Sequence, residues 1–496
     1  MTSTPSALKT SYNQLFINGR WQTGSAGQED VISPSTEKTV GSAPVGGIAD
    51  LEQALAAART AFDRGPWADE SRDTRANLMQ RLFDRIIRRR EEALGLMQLE
   101  MGFTRMQCDM QLELLFTQMT KFIEVARKDP LKSLKMITAP QPDGTRSFGG
   151  AVTTRDPIGV VSAITPYNSG FLLGLMKAVP AMAAGNTVVL KPSPFTPLQT
   201  MLIAELVAEL DLPPGVFNIV TGGPDVGQMM SSDPRVDMVT FTGSDAVGAQ
   251  VMAQASPTLK KVHLELGGKS PLIIRQDADM EKAVMAGLFG FVFQAGQGCS
   301  MTTRMLVDNR VRADFVAALV STVGALKVGD PYDPQTFMGP LIREAARART
   351  EDFCRRALDE GASLMLGGKR PAGLDKGFFF EPTIFDNVTN DSYLGQREVF
   401  GPIAAVIGFD SDAEAIRLAN ESDYGLGGAI ISSDRGTAFE MALKMRTGQI
   451  QINMGPGGFH PDMPFGGYKR SGLGREWGEE GFNEYTELKS IGFPAG

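Results

Sequence analysis

Histidine is nearly missing from this chain. Only His263 and His460 occur among 496 residues, and neither stands with cysteines or carboxylates at ligand spacing, so no metal site is expected. A Ser-His-Asp hydrolase would have to use one of them. His263 lies in "KKVHLELGG", which alternates like a strand and has no G-x-S-x-G elbow nearby. Both imidazoles read as structural. Cysteine is scarce as well. Cys108, Cys299 and Cys354 are odd in number and far apart, which excludes a disulfide framework and fits a reducing, cytoplasmic setting. No run of about 18 apolar residues occurs, so no membrane span is expected. The opening "MTSTPSALKTSYNQLF" lacks the apolar core of a signal peptide. Basic charge is not in excess. A formal net charge of −8 argues against nucleic acid or an anionic membrane as a partner. The one dense basic run, Arg88-Arg89-Arg90, runs straight into Glu91 and Glu92 and reads as a solvated helix face.

What is present fits a globular protein of two or three domains. The chain is 42% hydrophobic and 21% charged, ordinary values for a soluble fold, and it is too long for one compact core. Residues 49–64 place Leu51, Ala54, Leu55, Ala58 and Phe62 on one helical face, and a long periodic segment follows over 72–101 through Leu78, Leu82 and Ile86. Then strands alternate with helices. "GVVSAITP", "NTVVLKPS", "VFNIVTGG" and "VDMVTFTGS" read as strands. "LGLMKAVPAMAAG" and "TPLQTMLIAELVAELDLP" read as helices, the second with Thr196 as N-cap and Pro197 at its first position. This pattern predicts an α/β fold with a doubly wound parallel sheet, whose ligands sit at the carboxyl ends of the strands. A second αβ series starts near 268 and holds "SPLIIR", "TRMLVD", "TIFDNV", "IAAVIGF" and "GQIQIN". Between the early helices and the first sheet, residues 133–156 carry the turn signal "PDG" between two extended runs and read as a hairpin.

The strand ends and one cysteine hold the chemistry. "FTGSDAVG" is a strand, a small-residue turn and a helix start, which offers backbone N–H groups to a phosphate. Lys191 in "VVLKPS" supplies a cation at a neighbouring strand end. Neither shows the G-x-G-x-x-G spacing of the usual dinucleotide fingerprint. In "QAGQGCSMTT", Gly296 and Gly298 permit a close backbone approach around Cys299, with φ > 0 in reach. Glu265 in "HLELGGKSP" is a candidate general base. Cys299, Glu265 and Asn168 together make acyl-transfer machinery without histidine; each alone is also a buried thiol, a surface acid or a turn former.

The chain resembles the aldehyde dehydrogenases. The matching stretches run in the family's order over nearly the whole length: "PIGVVSAITPYN", "PAMAAGNTVVLKPS", "PPGVFNIVTG", "FTGSDAVG", "LELGGKSP", "GQGCS", "EVFGP", "NESDYGL" and "PFGGYKRSGLGRE". The resemblance implies two Rossmann-like doubly wound domains and a small β oligomerisation element. Residues 8–132 and 157–267 would form the cofactor-binding domain, 268–466 the catalytic domain, and 133–156 with 483–496 the oligomerisation element of a homodimer or homotetramer. It implies a non-acylating, NAD(P)-dependent oxidation of a small aldehyde. Cys299 would form a thiohemiacetal and then a thioester. Asn168 and the Cys299 N–H would hold the oxyanion, Glu265 would activate the hydrolytic water, and Glu476 would assist proton relay. Lys191 and Glu398 would bind the two riboses, Ser244 the pyrophosphate, and Phe400 would flank the nicotinamide. Thr165, Pro166, Ser193, Gly243 and Gly267 complete the implied cofactor site.

Departures from the family's pattern point to specificity. Tyr167-Asn168-Ser169-Gly170 replaces the common Trp-Asn-Phe-Pro, and its small residues thin the tunnel wall. Pro194 replaces a glutamate common in NAD-preferring members, so NAD is expected with NADP tolerated. Gly298 and Met301 are both unusual beside the nucleophile. Phe171, Met176, Met301, Met454, Phe459 and Met463 fall on tunnel-lining segments of the family and suggest an apolar aldehyde, aromatic or aliphatic. Three other readings use the same residues: a coenzyme A-acylating dehydrogenase, a cofactor-independent acyltransferase and a non-catalytic nucleotide-binding relative. Glu265 argues against the first, because that base serves hydrolysis.

Overall fold

The computed structural model describes residues 8–454 and 460–494. Phe459 and the last two residues of the 483–496 segment lie outside them. Two mainly parallel sheets, each with its own apolar core, form an α/β fold. In the first sheet the parallel strands lie in the order Phe217–Ile219, Thr187–Lys191, Val160–Ile164, Met238–Thr242 and Lys261–Glu265. Every residue of the middle three strands is buried, which is why they read as continuous β-branched and apolar runs without alternation. The chain starts at Val160–Ile164, adds two strands on one side, then returns to add two on the other. The order therefore reverses between Val160–Ile164 and Met238–Thr242, and a crevice opens at such a point. A hairpin, Gln14–Ile17 with Arg20–Thr23, and the short strand Gly472–Leu473 close the edges.

The second sheet runs Ser363–Leu366, Thr383–Asp386, Ile403–Phe409, Arg304–Asp308, Pro271–Ile274, Gly427–Ile431 and Gln449–Ile452. A third, small antiparallel sheet pairs Thr486–Pro494 with Arg146–Pro157, which also forms a hairpin with Ile137–Pro140. Its turn is closed by Gln141 N–H donating to the Thr145 carbonyl at 2.8 Å. Ile137, Phe148, Leu488 and Phe493 stand exposed on this sheet.

Two helix expectations change. The periodic run over 72–101 is two helices, Arg72–Arg88 and Arg90–Met101, broken at Arg89. The basic triplet is therefore a junction and not a solvated face. Arg89 binds Glu92 and Glu205, each at 2.6 Å, while Arg90 reaches Asp109 at 2.6 Å and Glu113 at 2.7 Å. Thr196 does precede helix Pro197–Ala208, but its hydroxyl donates to the Tyr167 carbonyl at 3.3 Å and caps nothing. The cap comes from another helix. Buried Glu100 accepts from the N–H groups of Leu198 at 2.6 Å and Gln199 at 2.9 Å. Burial pushes its carboxyl up to about 8. Truncating it leaves two buried N–H groups without an acceptor, a cost of about 1–3 kcal/mol. Glu100→Ala is expected to lower the thermal-unfolding midpoint, and Glu100→Gln, which keeps one acceptor, to lower it less. Equal midpoints for the Ala variant and the wild type contradict this.

Candidate active site

The strand ends of the first sheet converge on one cleft of about 1330 Å³. Thr165 and Pro166 follow Val160–Ile164, Gly243 and Ser244 follow Met238–Thr242, and these two strands flank the reversal of strand order. Lys191 and Glu265 are the last residues of their strands. Ser193 and Gly267 lie just beyond. The second sheet faces them with Cys299, Glu398 and Phe400, and the C-terminal segment adds Glu476. All of these residues, with Asn168, line the cleft. Among the described residues, no cluster of His, Cys, Asp or Glu is arranged to hold a metal ion.

Cys299 sits on an unusual loop. After helix Met280–Val292, Gln294 and Ala295 both take φ 53° and Gly296 takes φ 71°. Left-handed backbone at two non-glycine residues stores about 1–3 kcal/mol each. Gly296 is needed for conformation and for space, since a Cβ there would lie 2.2 Å from the Gly401 carbonyl oxygen. Gly298 is not left-handed; its requirement is steric. A Cβ on it would meet Met301 Cε at 2.7 Å and Cγ at 3.0 Å. The two unusual neighbours of the nucleophile are thus complementary: the methionine fills the space the glycine leaves. Buried Gln297, unnoticed in the sequence, pins the loop. Its amide donates to the Gln294 carbonyl at 3.1 Å, and its oxygen accepts from the Ile342 N–H at 3.0 Å. Its own carbonyl accepts from Asn168 Nδ2 at 2.9 Å. Asn168 keeps its second amide hydrogen, and its carbonyl is fixed by Gln111 at 3.0 Å and Ser169 at 2.6 Å. An amide held this way beside Cys299 is a preorganised donor for an oxyanion.

Burial and the carboxylates of Glu265, Glu398 and Glu476 hold the half-buried Cys299 thiol well above its usual range. Glu265 is fully buried, with both oxygens lacking a hydrogen-bond partner among the described residues. Burial, then the charge of Glu476, pushes its carboxyl up. Glu476 is held by Lys177, a residue the sequence reading missed, at 2.5 Å. His263, read as purely structural, lies beside Glu265 with Nε2 3.5 Å from Oε1.

The opposite end of the cleft suits a dinucleotide. Burial pulls the Lys191 ammonium down to about 8, and among the described residues it donates only to the Pro192 carbonyl, at 3.3 Å. A buried cation so poorly paired is ready for a ligand oxygen. Ser244 caps helix Asp245–Ala255, whose N-terminus opens on the cleft. Glu398 accepts from the Gly268 N–H at 2.9 Å, and burial pushes its carboxyl up to about 7. A Cβ on Gly267 would lie 2.4 Å from Glu398 Oε2, so any larger residue there would displace the Glu398 carboxylate. Phe400 packs edge-on to Tyr167 at 5.9 Å between ring centres.

The apolar wall differs from expectation. Of the expected tunnel side chains that the structure describes, Met301 alone reaches the cleft. Phe171 and Met176 face the core of helix Gly170–Ala184, which is buried almost all round. Met454 is exposed and Met463 does not reach the wall. The lining comes instead from Met106, Met110, Leu114, Leu172, Phe293, Phe465 and Trp477. Met106, Met110 and Leu114 share helix Arg105–Arg127, which no motif in the sequence marks.

Known proteins match the chain over nearly its whole length. The model of the aldehyde dehydrogenase family matches residues 21–491. Betaine aldehyde dehydrogenase of Bacillus subtilis is 39% identical over 484 residues, covering 96% of each chain. The crystal structure of betaine aldehyde dehydrogenase from Staphylococcus aureus in complex with NAD+ superposes with a TM-score of 0.93 at 38% identity, covering 98% of this chain and 95% of that one. An NAD+ complex of a Mycobacterium tuberculosis aldehyde dehydrogenase superposes with a TM-score of 0.91 at 40% identity, covering 97% and 98%.

The raised thiol can be read directly. In the ligand-free protein, iodoacetamide labelling of the Cys299 peptide is expected to keep accelerating well above pH ~8.5, where an ordinary thiol is half ionised. A rate that levels off near that pH contradicts the electrostatic account.

Proposed function

The chain belongs to the aldehyde dehydrogenase family and is an oxidoreductase acting on aldehydes; from that premise we propose that it converts an uncharged, apolar aldehyde to its carboxylic acid with NAD. The observation that carries this reading is the convergence of Cys299, Asn168 and Glu265 on one cleft, beside an apolar wall. Cys299 gives its thiol proton to water in the cleft, and the resulting thiolate attacks the aldehyde carbon. The free amide hydrogen of Asn168 and the Cys299 N–H receive the resulting oxyanion, and each such donor is worth about 10²–10³ in rate. NAD, when bound, accepts the hydride that leaves this carbon. Cys299 then carries a thioester. Glu265 takes a proton from water, the water oxygen attacks the thioester carbon, and the C–S bond breaks to release the acid and restore the thiolate. Glu476, held by Lys177, receives protons from the Glu265 side of the cleft. Splitting the reaction into acylation and hydrolysis replaces one hard step by two easier ones.

Residues 8–132 with 157–267 serve as the cofactor-binding domain and 268–466 as the catalytic domain. Lys191 and Glu398 hold the two riboses, and Ser244 the pyrophosphate. Phe400 flanks the nicotinamide, and Thr165, Pro166, Ser193, Gly243 and Gly267 shape the walls. NAD is supported by its presence in the similar structures. NADP is tolerated, because Pro194 neither accepts from an adenosine ribose nor repels a 2′-phosphate. The names of the relatives favour a second substrate reading, a cationic betaine aldehyde. Phe465 and Trp477, packed at 4.4 Å between ring centres on the cleft wall, offer aromatic faces for such a cation.

An initial-rate screen of aliphatic, aromatic and quaternary-ammonium aldehydes, run with NAD and NADP, tests the reading. Reduced nicotinamide is expected to form fastest with the uncharged apolar members; no formation with any pair contradicts dehydrogenase function, and the quaternary aldehyde leading favours the second reading. Cys299→Ala is expected to abolish turnover. Glu265→Gln is expected to keep a burst of about one equivalent per site while steady state falls about 10²-fold or more; a lost burst with intact steady state contradicts its role as base.

Residues 133–156 and 483–496 join copies of the chain into a homodimer or homotetramer. Support comes from apolar side chains exposed on both faces of this sheet, Phe148 and Phe493 on one and Ile137 and Leu488 on the other, since exposed apolar surface marks contact regions. Light scattering is expected to give a dimer or tetramer, shifted toward monomer by Ile137→Asp with Leu488→Asp. A monomeric wild-type protein contradicts this.

A further inference from the structure

Strand geometry aims a histidine at the catalytic carboxylate. His263 and Glu265 are two apart on strand Lys261–Glu265 and so share one face. On the parallel neighbour, Thr240 pairs in register with His263. Thr240 Oγ1 lies 3.1 Å from His263 Nδ1 and accepts from Lys177 Nζ at 2.9 Å. Lys177 Nζ also donates to Glu476 Oε1 at 2.5 Å. A continuous buried chain thus runs Glu476, Lys177, Thr240, His263, Glu265. Two glycines enclose its last link. A Cβ on Gly474 would lie 2.4 Å from His263 Cδ2, and one on Gly466 would lie 2.8 Å from Glu265 Oε1.

The direction of the hydrogen bonds follows from the one group that can only donate. Lys177 has no lone pair to offer, so the Thr240 oxygen is its acceptor and the hydroxyl hydrogen is free for another partner. Two neighbours are in reach, Nδ1 of His263 and the phenol of Tyr485; the phenol has a hydrogen of its own to give to the Thr240 oxygen, which leaves the threonine hydrogen for Nδ1. Burial, then the charges of Lys177, Lys261 and Arg475, holds that imidazole neutral. A neutral ring that accepts at Nδ1 carries its proton on Nε2. Among the described residues that nitrogen is buried without a hydrogen-bond partner, as are both oxygens of Glu265, and it lies 3.5 Å from Oε1. A small rotation of either side chain closes the gap to a hydrogen bond.

We propose that His263 is a positioning residue for Glu265: its Nε2–H, fixed by Thr240 and Lys177, donates to the Glu265 carboxylate and keeps it in the basic form that deacylation needs. This rests on the reading of Glu265 as the hydrolytic base. A donor to the ionised carboxylate favours ionisation and lowers its pKa. The opposing groups around Glu265 are Glu476 and Glu484, which raise it, and Lys177 and Arg475, which lower it. The phenol of Tyr485 is also buried against this network. Among the described residues, none of these others makes a hydrogen bond to a Glu265 oxygen.

The test is the pH profile of deacylation, measured as steady-state turnover with the pre-steady-state burst recorded in parallel. His263→Leu is expected to move the acid limb upward by about one pH unit, a tenfold loss of turnover below the limb, with burst rate and amplitude unchanged. His263→Gln sets an amide N–H near the Nε2 position and is expected to restore most of the shift; a purely structural role would not follow the donor in this way. Glu265→Gln separates the two failures. If it abolishes the acid limb while both His263 variants keep the wild-type limb, the role of His263 is overturned and the base stands. If Glu265→Gln leaves the limb in place, the base reading fails and the His263 proposal falls with it. Should His263→Leu fold poorly, a His263→Gln limb identical to that of a well-folded His263→Asn variant, which lacks reach to Glu265, overturns the proposal equally.

Discussion

A hydrogen bond of 2.9 Å from the Asn168 amide to the Gln297 carbonyl ties the end of the first sheet to the loop that carries Cys299. The loop has no reason of its own to hold its shape. Two of its non-glycine residues are left-handed, and a third, Gly296, is pressed against Gly401. Such backbone persists only where its surroundings over-determine it. Gln297 supplies that constraint from the second unit, through Ile342 and Gln294, and Asn168 supplies it from the first. The nucleophile and the oxyanion donor are therefore positioned by the same contact. A misplacement of about 1 Å between reacting groups can cost about 10²-fold in rate.

Desolvation gives the cleft its electrostatic character. Burial raises the acids Cys299, Glu265 and Glu398 and lowers the cation Lys191. Each group is thereby moved away from its solvent-stabilised charged form and toward one that a ligand or partner completes. The thiol and the base are the extreme cases, and they adjoin. Charge that is costly in the resting site is worth more once a transition state carries the complementary charge, because the low dielectric strengthens both effects. The buried Lys177–Glu476 pair adds a fixed ionic anchor behind Glu265.

Much of this was legible in the sequence, for physical reasons. Buried parallel strands read as β-branched runs, and most residues at their ends line the cleft, among them Pro166, Asn168, Lys191, Ser193, Gly243 and Ser244, whereas Thr221, Gly222 and Gly223 at the end of Phe217–Ile219 do not. The ordered motifs led to Cys299, Glu265 and Asn168. What escaped detection is long-range. Glu100 caps a helix almost a hundred residues away, so no local pattern marks it. Helix Gly170–Ala184 is buried nearly all round, so periodicity could not say which side faces the cleft, and Phe171 and Met176 were misassigned to it. Strand Gly427–Ile431 begins with two glycines, which weaken its local signal. Gly298 and Met301 stood out separately, but only their contact explains both. The i, i+2 relation of His263 and Glu265 is readable, but the group that orients the imidazole, Thr240, comes from the neighbouring strand, which no local pattern marks.

The covalent intermediate on Cys299 is the step on which the whole account turns. Rapid acid quench of the Glu265→Gln enzyme with NAD and a reactive aldehyde, followed by peptide mass spectrometry, reads it directly. The peptide containing Cys299 is predicted to gain the mass of the aldehyde less two hydrogens, because the acyl group replaces the thiol hydrogen, with Cys108 and Cys354 unmodified. Product formation with no acyl adduct on Cys299, or an adduct on another residue in its place, would contradict the account.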